Sequence, residues 1–276
     1  MRRLMTAVVV FLALALASCA SWFPQQGYKQ SGSVVDYLYG DKTAPVAMTP
    51  TVTTLRPPVR VGIAFVPSKA WGTGGVPDSE QQHMLDKVKA AFAHHPFIGS
   101  IEVIPNTYLR PNGGFANLEQ VSRLFNVEVV ALLSYDQIQF NDTNALSVLY
   151  WTIIGAYVIH GDQYDVHTLL EAAVFDVSSR KLLFRAPGSS NVKGAAAMMN
   201  FTEKSRAARQ TGFDQALDAL IPNLEKELAT YRERVKSDAG VRIENRPGYS
   251  GGGALGSLAV LPLALWAWGW SRRHAR

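Results

Sequence analysis

At 276 residues, 47% of them hydrophobic, the chain can bury a substantial core and does not have the composition of a disordered protein. Its 27 basic residues against 22 acidic ones would ordinarily suggest nucleic acid or an anionic surface as partner. Arg2, Arg3, Arg272, Arg273 and Arg276 hold the whole excess, leaving 22 basic against 22 acidic residues between the ends, so no nucleic-acid partner is expected. A single cysteine, Cys19, excludes a disulfide framework.

The amino terminus opens with Arg2-Arg3 and an apolar stretch from Leu4 to Ala17, too short for a comfortable membrane span and built like a secretory signal peptide over residues 1–18. It ends Leu16-Ala17-Ser18-Cys19, which resembles the bacterial lipobox: Leu at −3, small residues at −2 and −1, and the obligatory Cys. The resemblance implies cleavage by signal peptidase II before Cys19. It also implies a diacylglycerol attached through a thioether to Cys19 and an acyl chain, palmitate being the usual one, on the new amino terminus. That covalent lipid is the only cofactor expected. Ala20 at the next position, in place of Asp, resembles lipoproteins passed on to the outer membrane.

Residues 19–56 are rich in Ser, Thr, Pro, Gly and Gln and read as a tether; 57–236 read as one domain. Val59 to Val66 alternates as a strand, and a glycine-rich loop, Trp71 to Pro77, follows. Asp78 or Ser79, with Gln81 or Gln82 three residues on, predicts a capped helix carrying Leu85, Val88 and Phe92 on one face. Ile101 to Ile104 is a second strand, and Phe115 to Asn126 a second helix. Val127 to Tyr135 is almost continuously apolar and predicts a strand buried on both faces. His167 to Val177 and Lys181 to Ala186 predict a hairpin turning at Ser178-Ser179-Arg180. A long helix from about Thr202 to Lys236, with Pro222 inside it, closes the domain. The expected fold is a single α/β sandwich with a mixed sheet: β-α-β-α-β, then the hairpin and the long helix.

Chemistry-bearing patterns are few. Gly72-Thr73-Gly74-Gly75 lacks the Gly-Lys-Ser/Thr ending of a phosphate loop and reads as a plain loop. His160, Asp162, Asp165 and His167 are side chains a metal would accept, at a spacing that equally suits a solvated strand edge, and no metal is expected there. His94-His95 lies at a helix end and suits the helix dipole. The mature chain has no free Cys and no Gly-x-Ser-x-Gly elbow, so catalysis is not expected; an uncharacterised hydrolase or metal protein is the third reading. Ala145 to Ile159 is nearly uncharged, with Leu149, Tyr150, Trp151, Ile153, Ile154, Tyr157 and Val158; it is either core or an apolar surface for a partner, another copy or the membrane.

After a second linker, residues 237–253, Gly251-Gly252-Gly253 lead into an apolar run from Ala254 to Trp270 and the basic stop signal Arg272, Arg273 and Arg276. Seventeen helical residues span roughly 25 Å, so 254–276 read as a short membrane helix with its basic tail. This tail resembles the GlyGly-CTERM sorting signal, which implies cleavage at the glycines by a rhombosortase, a rhomboid-type intramembrane serine protease. Glycines suit such cutting because each weakens a helix by about 1 kcal/mol relative to Ala. Cleavage would also reconcile an outer-membrane lipid anchor with an inner-membrane helix.

The order of elements is similar to that of the amino-terminal domain of the Tol translocation protein, penicillin-binding-protein activator lipoproteins and the curli-secretion-channel lipoprotein. Cys19, the segment Tyr150-Trp151-Thr152-Ile153-Ile154-Gly155-Ala156-Tyr157, the run from Phe175 to Gly188 and the glycine-led tail together resemble the rhombotarget lipoprotein family. That resemblance implies an exported, non-catalytic accessory lipoprotein of the cell envelope that meets membrane lipid, signal peptidase II, a rhombosortase-type protease and a further protein or itself. The likeness to the curli channel implies an alternative, a subunit of a homo-oligomeric outer-membrane channel or secretion assembly.

Overall fold

In the computed structural model, residues 28–40, 52–67, 76–143 and 162–249 are described. In chain order they form β1 (Tyr28–Gly32), α1 (Val34–Tyr39), β2 (Thr53–Leu55), β3 (Val59–Phe65), α2 (Asp78–Phe92), β4 (Ile98–Val103), α3 (Gly114–Phe125), β5 (Val129–Thr143), β6 (Asp162–Asp176), β7 (Lys181–Ala196), α4 (Phe201–Val235) and β8 (Val241–Ile243). The chain resolves into two compact units. The larger holds Gln30–Asp136, Leu169–Ser190 and Phe213–Arg276, and the smaller Met1–Lys29, Gln137–Thr168 and Asn191–Gly212.

The fold is a mixed α/β sandwich. One sheet of six strands runs β4-β3-β5-β6-β7, with β1 paired to β5. β3 pairs in parallel with both β4 and β5, Val61 standing opposite Val129 and Ile101, while β6 and β7, joined by four residues, form a hairpin. In the larger unit β3, β5 and β6 each serve two cores. Val129, Ala131, Leu133 and Tyr135 of β5 pack with Met84, Val88 and Phe92 of α2 and with Phe213, Leu217, Leu220 and Leu224 of α4. The alternate residues Val130 and Leu132 pack with Tyr37 and Leu38 of α1 and Phe115, Leu118 and Val121 of α3. Helices therefore cover both faces, which is why Val129 to Leu133 is apolar at every position. Asn126, in the left-handed conformation (φ 56°), stops α3, and its amide donates to the Arg123 carbonyl.

Several elements differ from the sequence reading, each for a tertiary reason. The tether contains β1, α1 and β2. Of these, β2 pairs in parallel with β8, which lies in the expected second linker, so residues too few to form structure alone are held by each other. The helix cap at Asp78 or Ser79 does not form; Pro77 precedes α2, and Gln81 Nε2 donates to the Val76 carbonyl at 2.8 Å. β5 continues eight residues past Tyr135, to Thr143. Within the smaller unit its polar side chains are buried and paired: Gln137 Nε2 donates to Thr168 Oγ1 (2.7 Å) and the Arg209 carbonyl (2.9 Å), and Arg209 Nη1 donates to Gln139 Oε1 (2.6 Å). β7 runs to Ala196 through Pro187-Gly188, tolerated because β7 is the edge strand and needs no ladder donor at the proline. Pro222 lies inside α4 as expected. Among the described residues no helix is long and apolar enough to cross a membrane.

Candidate functional site

The larger unit contains a cavity of about 360 Å³, within the size range of small-ligand pockets. Its floor is one face of the sheet: Val59, Val61 and Ile63 from β3, Val129 and Ala131 from β5, and Val174 from β6. Val88 and Phe92 of α2 and Leu224, Leu228, Tyr231 and Val235 of α4 roof it. Leu55 of β2 and Ile243 of β8 close one side, so the small parallel pair that joins tether to linker forms part of the wall. The cause is local: Val61, Val129 and Ala131 are short side chains, and they leave room that Met84, Leu133 and Tyr135 fill elsewhere in the same core.

The polar side chains of this lining are Tyr231, Arg232, Lys236, Asn245 and Tyr249. Its charged members are Arg232 and Lys236, both basic. The Arg232 guanidinium lies 4.6 Å over the Phe97 ring, and no described carboxylate is ion-paired with it, whereas Lys236 Nζ is held 2.7 Å from Glu233. Tyr231 is 92% buried, its ring packs 5.3 Å from Phe184, and its hydroxyl has no hydrogen-bond partner among the described residues. Burial pushes the Tyr231 phenol up to about 12, with the Asp176 and Asp238 carboxylates adding to the effect. Both acids are occupied locally: Asp176 accepts from Ser178 Oγ and Ser179 N, and Asp238 from Gly240 N. The lining thus holds two cations and a neutral phenol whose hydroxyl is fully buried, around an apolar chamber, and no paired acid and base.

The residues singled out from the sequence are distributed differently from the cavity. Leu16, Ala17, Ser18, Cys19, Gly72 to Gly75, Ala145 to Ile159, His160, Gly251, Gly252, Gly253, Arg272, Arg273 and Arg276 lie outside the described residues, as does the side chain of Asp162. Asp165 and His167 both lie on β6. His167 Nε2 is 3.1 Å from Asp165 Oδ1 without hydrogen-bond geometry, and Lys193 Nζ is 3.1 Å from Asp165 Oδ2. That lysine supplies the positive charge a cation would bring. His95 meets a partner 130 residues away: its Nε2 lies 3.1–3.2 Å from both Glu225 oxygens, and the His94 ring stacks 4.2 Å from the His95 ring. His94, His95 and Glu225 place three ligand atoms within 4.8 Å of one another, a grouping sequence spacing does not disclose. Tyr231 is legible in the sequence only as one more residue of an apolar stripe. The sign available there is the run Tyr231-Arg232-Glu233-Arg234-Val235-Lys236, where polar tips enter the stripe at the helix end.

No family model matches the chain, and no curated protein does. Among solved structures it is similar to protein XCC0632 from Xanthomonas campestris, at 12% identity and a TM-score of 0.29, over 70% of this chain and 95% of that one. It is also similar to a PelC dodecamer from Paraburkholderia phytofirmans in two crystal forms, both at 12% identity over 71% of this chain and 97% of that one, with TM-scores of 0.26 and 0.23. The likeness to rhombotarget lipoproteins stands on the sequence motifs alone.

Proposed function

We propose that this protein is a non-catalytic binding module of the bacterial cell envelope, exported, lipidated at Cys19 by way of signal peptidase II processing, and released from a carboxy-terminal membrane helix by rhombosortase-type cleavage near Gly251 to Gly253. The mature form would sit on the outer membrane as an accessory lipoprotein. The observation that carries the binding role is the apolar cavity roofed by α2 and α4: its lining can hold a ligand, and it contains no nucleophile paired with a base. Localisation and processing are supported by the two terminal motifs.

Two measurements test this. A neutral environment-sensitive dye, N-phenyl-1-naphthylamine, should bind the full chain held in a lipid-free peptide scaffold and should be excluded by Ala131→Trp, which plugs the chamber; equal binding by both proteins sinks the binding role. Intact mass of the protein from its native host, with and without the intramembrane protease, should show a lipidated Cys19 start and loss of Ala254 to Arg276 only with the protease. Retention of that tail would make it a permanent inner-membrane anchor. A second reading, self-assembly through Ala145 to Ile159, is favoured by one observation: β5 ends at Thr143 and β6 begins at Asp162, neighbours in the sheet, so that apolar segment links two adjoining long strands. A monomer by analytical ultracentrifugation would remove it.

A further inference from the structure

We propose that His94, His95 and Glu225 bind one divalent transition-metal ion of the zinc type, which clips the end of α2 to the side of α4. The site stands apart from the cavity and does not depend on whether the chamber is occupied. His94 and His95 follow the last turn of α2, and hydrogen bonds fix their backbone: Ala93 N donates to the Lys89 carbonyl (3.0 Å), His95 N to the Phe92 carbonyl (3.3 Å) and Ile98 N to the His95 carbonyl (3.0 Å). Glu225 lies on α4, 130 residues further along the chain, and both elements belong to the larger unit.

The spacing is close to what such an ion requires. In a tetrahedral site two ligand atoms, each about 2.1 Å from zinc, stand about 3.4 Å apart. His95 Nε2 lies 3.2 and 3.1 Å from the two Glu225 oxygens, so this pair is already near the edge length of the tetrahedron. All three ligand atoms lie within 4.8 Å of one another. His94 is the exposed member, its ring 4.2 Å from that of His95, so rotation of a solvent-facing side chain closes the remaining gap. His95 is held before any ion arrives: the Phe92 and Phe97 rings lie 5.8 and 5.0 Å from its own, and its side chain is 16% exposed.

The donor set selects the ion. Two imidazoles and a carboxylate suit zinc and its borderline neighbours, whereas calcium and magnesium take oxygen ligands. Among the described residues no Lys or Arg is ion-paired with Glu225, in contrast to Asp165, which Lys193 supplies with positive charge beside His167. Arg232, further along α4, is seated on the Phe97 ring instead. Water completes the fourth position. The ion would add direct bonds between two helices that otherwise meet through apolar packing and the Lys87–Asp218 ion pair.

The test uses the untagged full chain, stripped of metal and held in the lipid-free scaffold, titrated with zinc in competition with a chromophoric chelator. One ion per chain should bind, and zinc at about a hundredfold excess over its Kd should raise Tm by about 5–10 °C, with calcium and magnesium giving no rise. Cobalt(II) in place of zinc should give the visible absorption bands of a four-coordinate ion. Glu225→Gln and His94→Ala should each weaken zinc at least about tenfold. Their Tm without metal should stay within about 1–2 °C of the unaltered chain, which checks folding. His167→Asn should bind zinc as the unaltered chain does. No zinc-dependent rise in Tm, an equal rise with calcium, or full zinc affinity in either Glu225→Gln or His94→Ala overturns the site. Loss of zinc in His167→Asn would place the ion on β6 and overturns it likewise.

Discussion

Replacing Ala131 by Leu asks whether the cavity is space the protein's own side chains leave open. Ala131 lies on β5, is 5% exposed, and lines the chamber. Leu adds three carbons, each contributing ~0.8 kcal/mol on burial, offset by roughly 0.5–1 kcal/mol of lost rotamer freedom. The net is about 1.5 kcal/mol of added stability, a rise in Tm of about 3–6 °C for a domain of this size. Ala172, on β6 in the same core cluster and 0% exposed, is outside the lining. Its change to Leu should instead destabilise by about 1–3 kcal/mol through overpacking. Thermal unfolding of the full chain and both variants, followed by near-ultraviolet circular dichroism, separates the two. If Ala131→Leu loses stability to the same extent as Ala172→Leu, the space is not there and the binding role loses its footing.

Three further outcomes follow from particular contacts. At Gly188, on β7, an added Cβ would collide with the Ala216 carbonyl and lie 2.7 Å from Leu220 Cβ, so Gly188→Ala should destabilise by about 3 kcal/mol or more; an unchanged unfolding midpoint would refute the close approach of strand and helix. Gln137→Ala removes a fully buried amide bonded to Thr168 and Arg209, and should lower the urea midpoint by the equivalent of about 2–4 kcal/mol. Tyr231→Phe deletes a hydroxyl with no hydrogen-bond partner among the described residues and should leave neutral-pH stability unchanged or raise it by up to about 1 kcal/mol. The folded state keeps the Tyr231 proton to about 12, while the unfolded chain loses it above its ordinary value of 10. That contribution is therefore fully present below pH 10 and is lost as pH rises toward 12. Tyr37, also raised by burial, adds a loss in the same direction. The fall in Tm across that interval should be shallower in Tyr231→Phe; equal slopes would show that Tyr231 is not buried.

The regular elements of the domain were legible in the sequence because the information that specifies them is local. Alternation in Val59 to Val66, the almost continuous apolar run at Val127 to Tyr135, the stripe through Phe213, Leu217, Leu220 and Leu224, and the turn at Ser178 to Arg180 each state a period or a break within a few residues. Their order is enough for an α/β sandwich with a mixed sheet. What sequence spacing does not contain is what a side chain meets across the fold. Gln137 and Gln139 ended the apparent strand early because a polar residue looks solvent-facing until its partners on β6 and α4 are known. β2 and β8 were read as linkers because three-residue strands gain their hydrogen bonds only from each other, nearly two hundred residues apart. Pro187 looked like a strand end until β7 proved to be an edge. The cavity is the extreme case: Val61, Ala131 and Leu224 each read as ordinary core, and only their packing in three dimensions decides whether volume is left among them, and where the buried phenol of Tyr231 comes to rest.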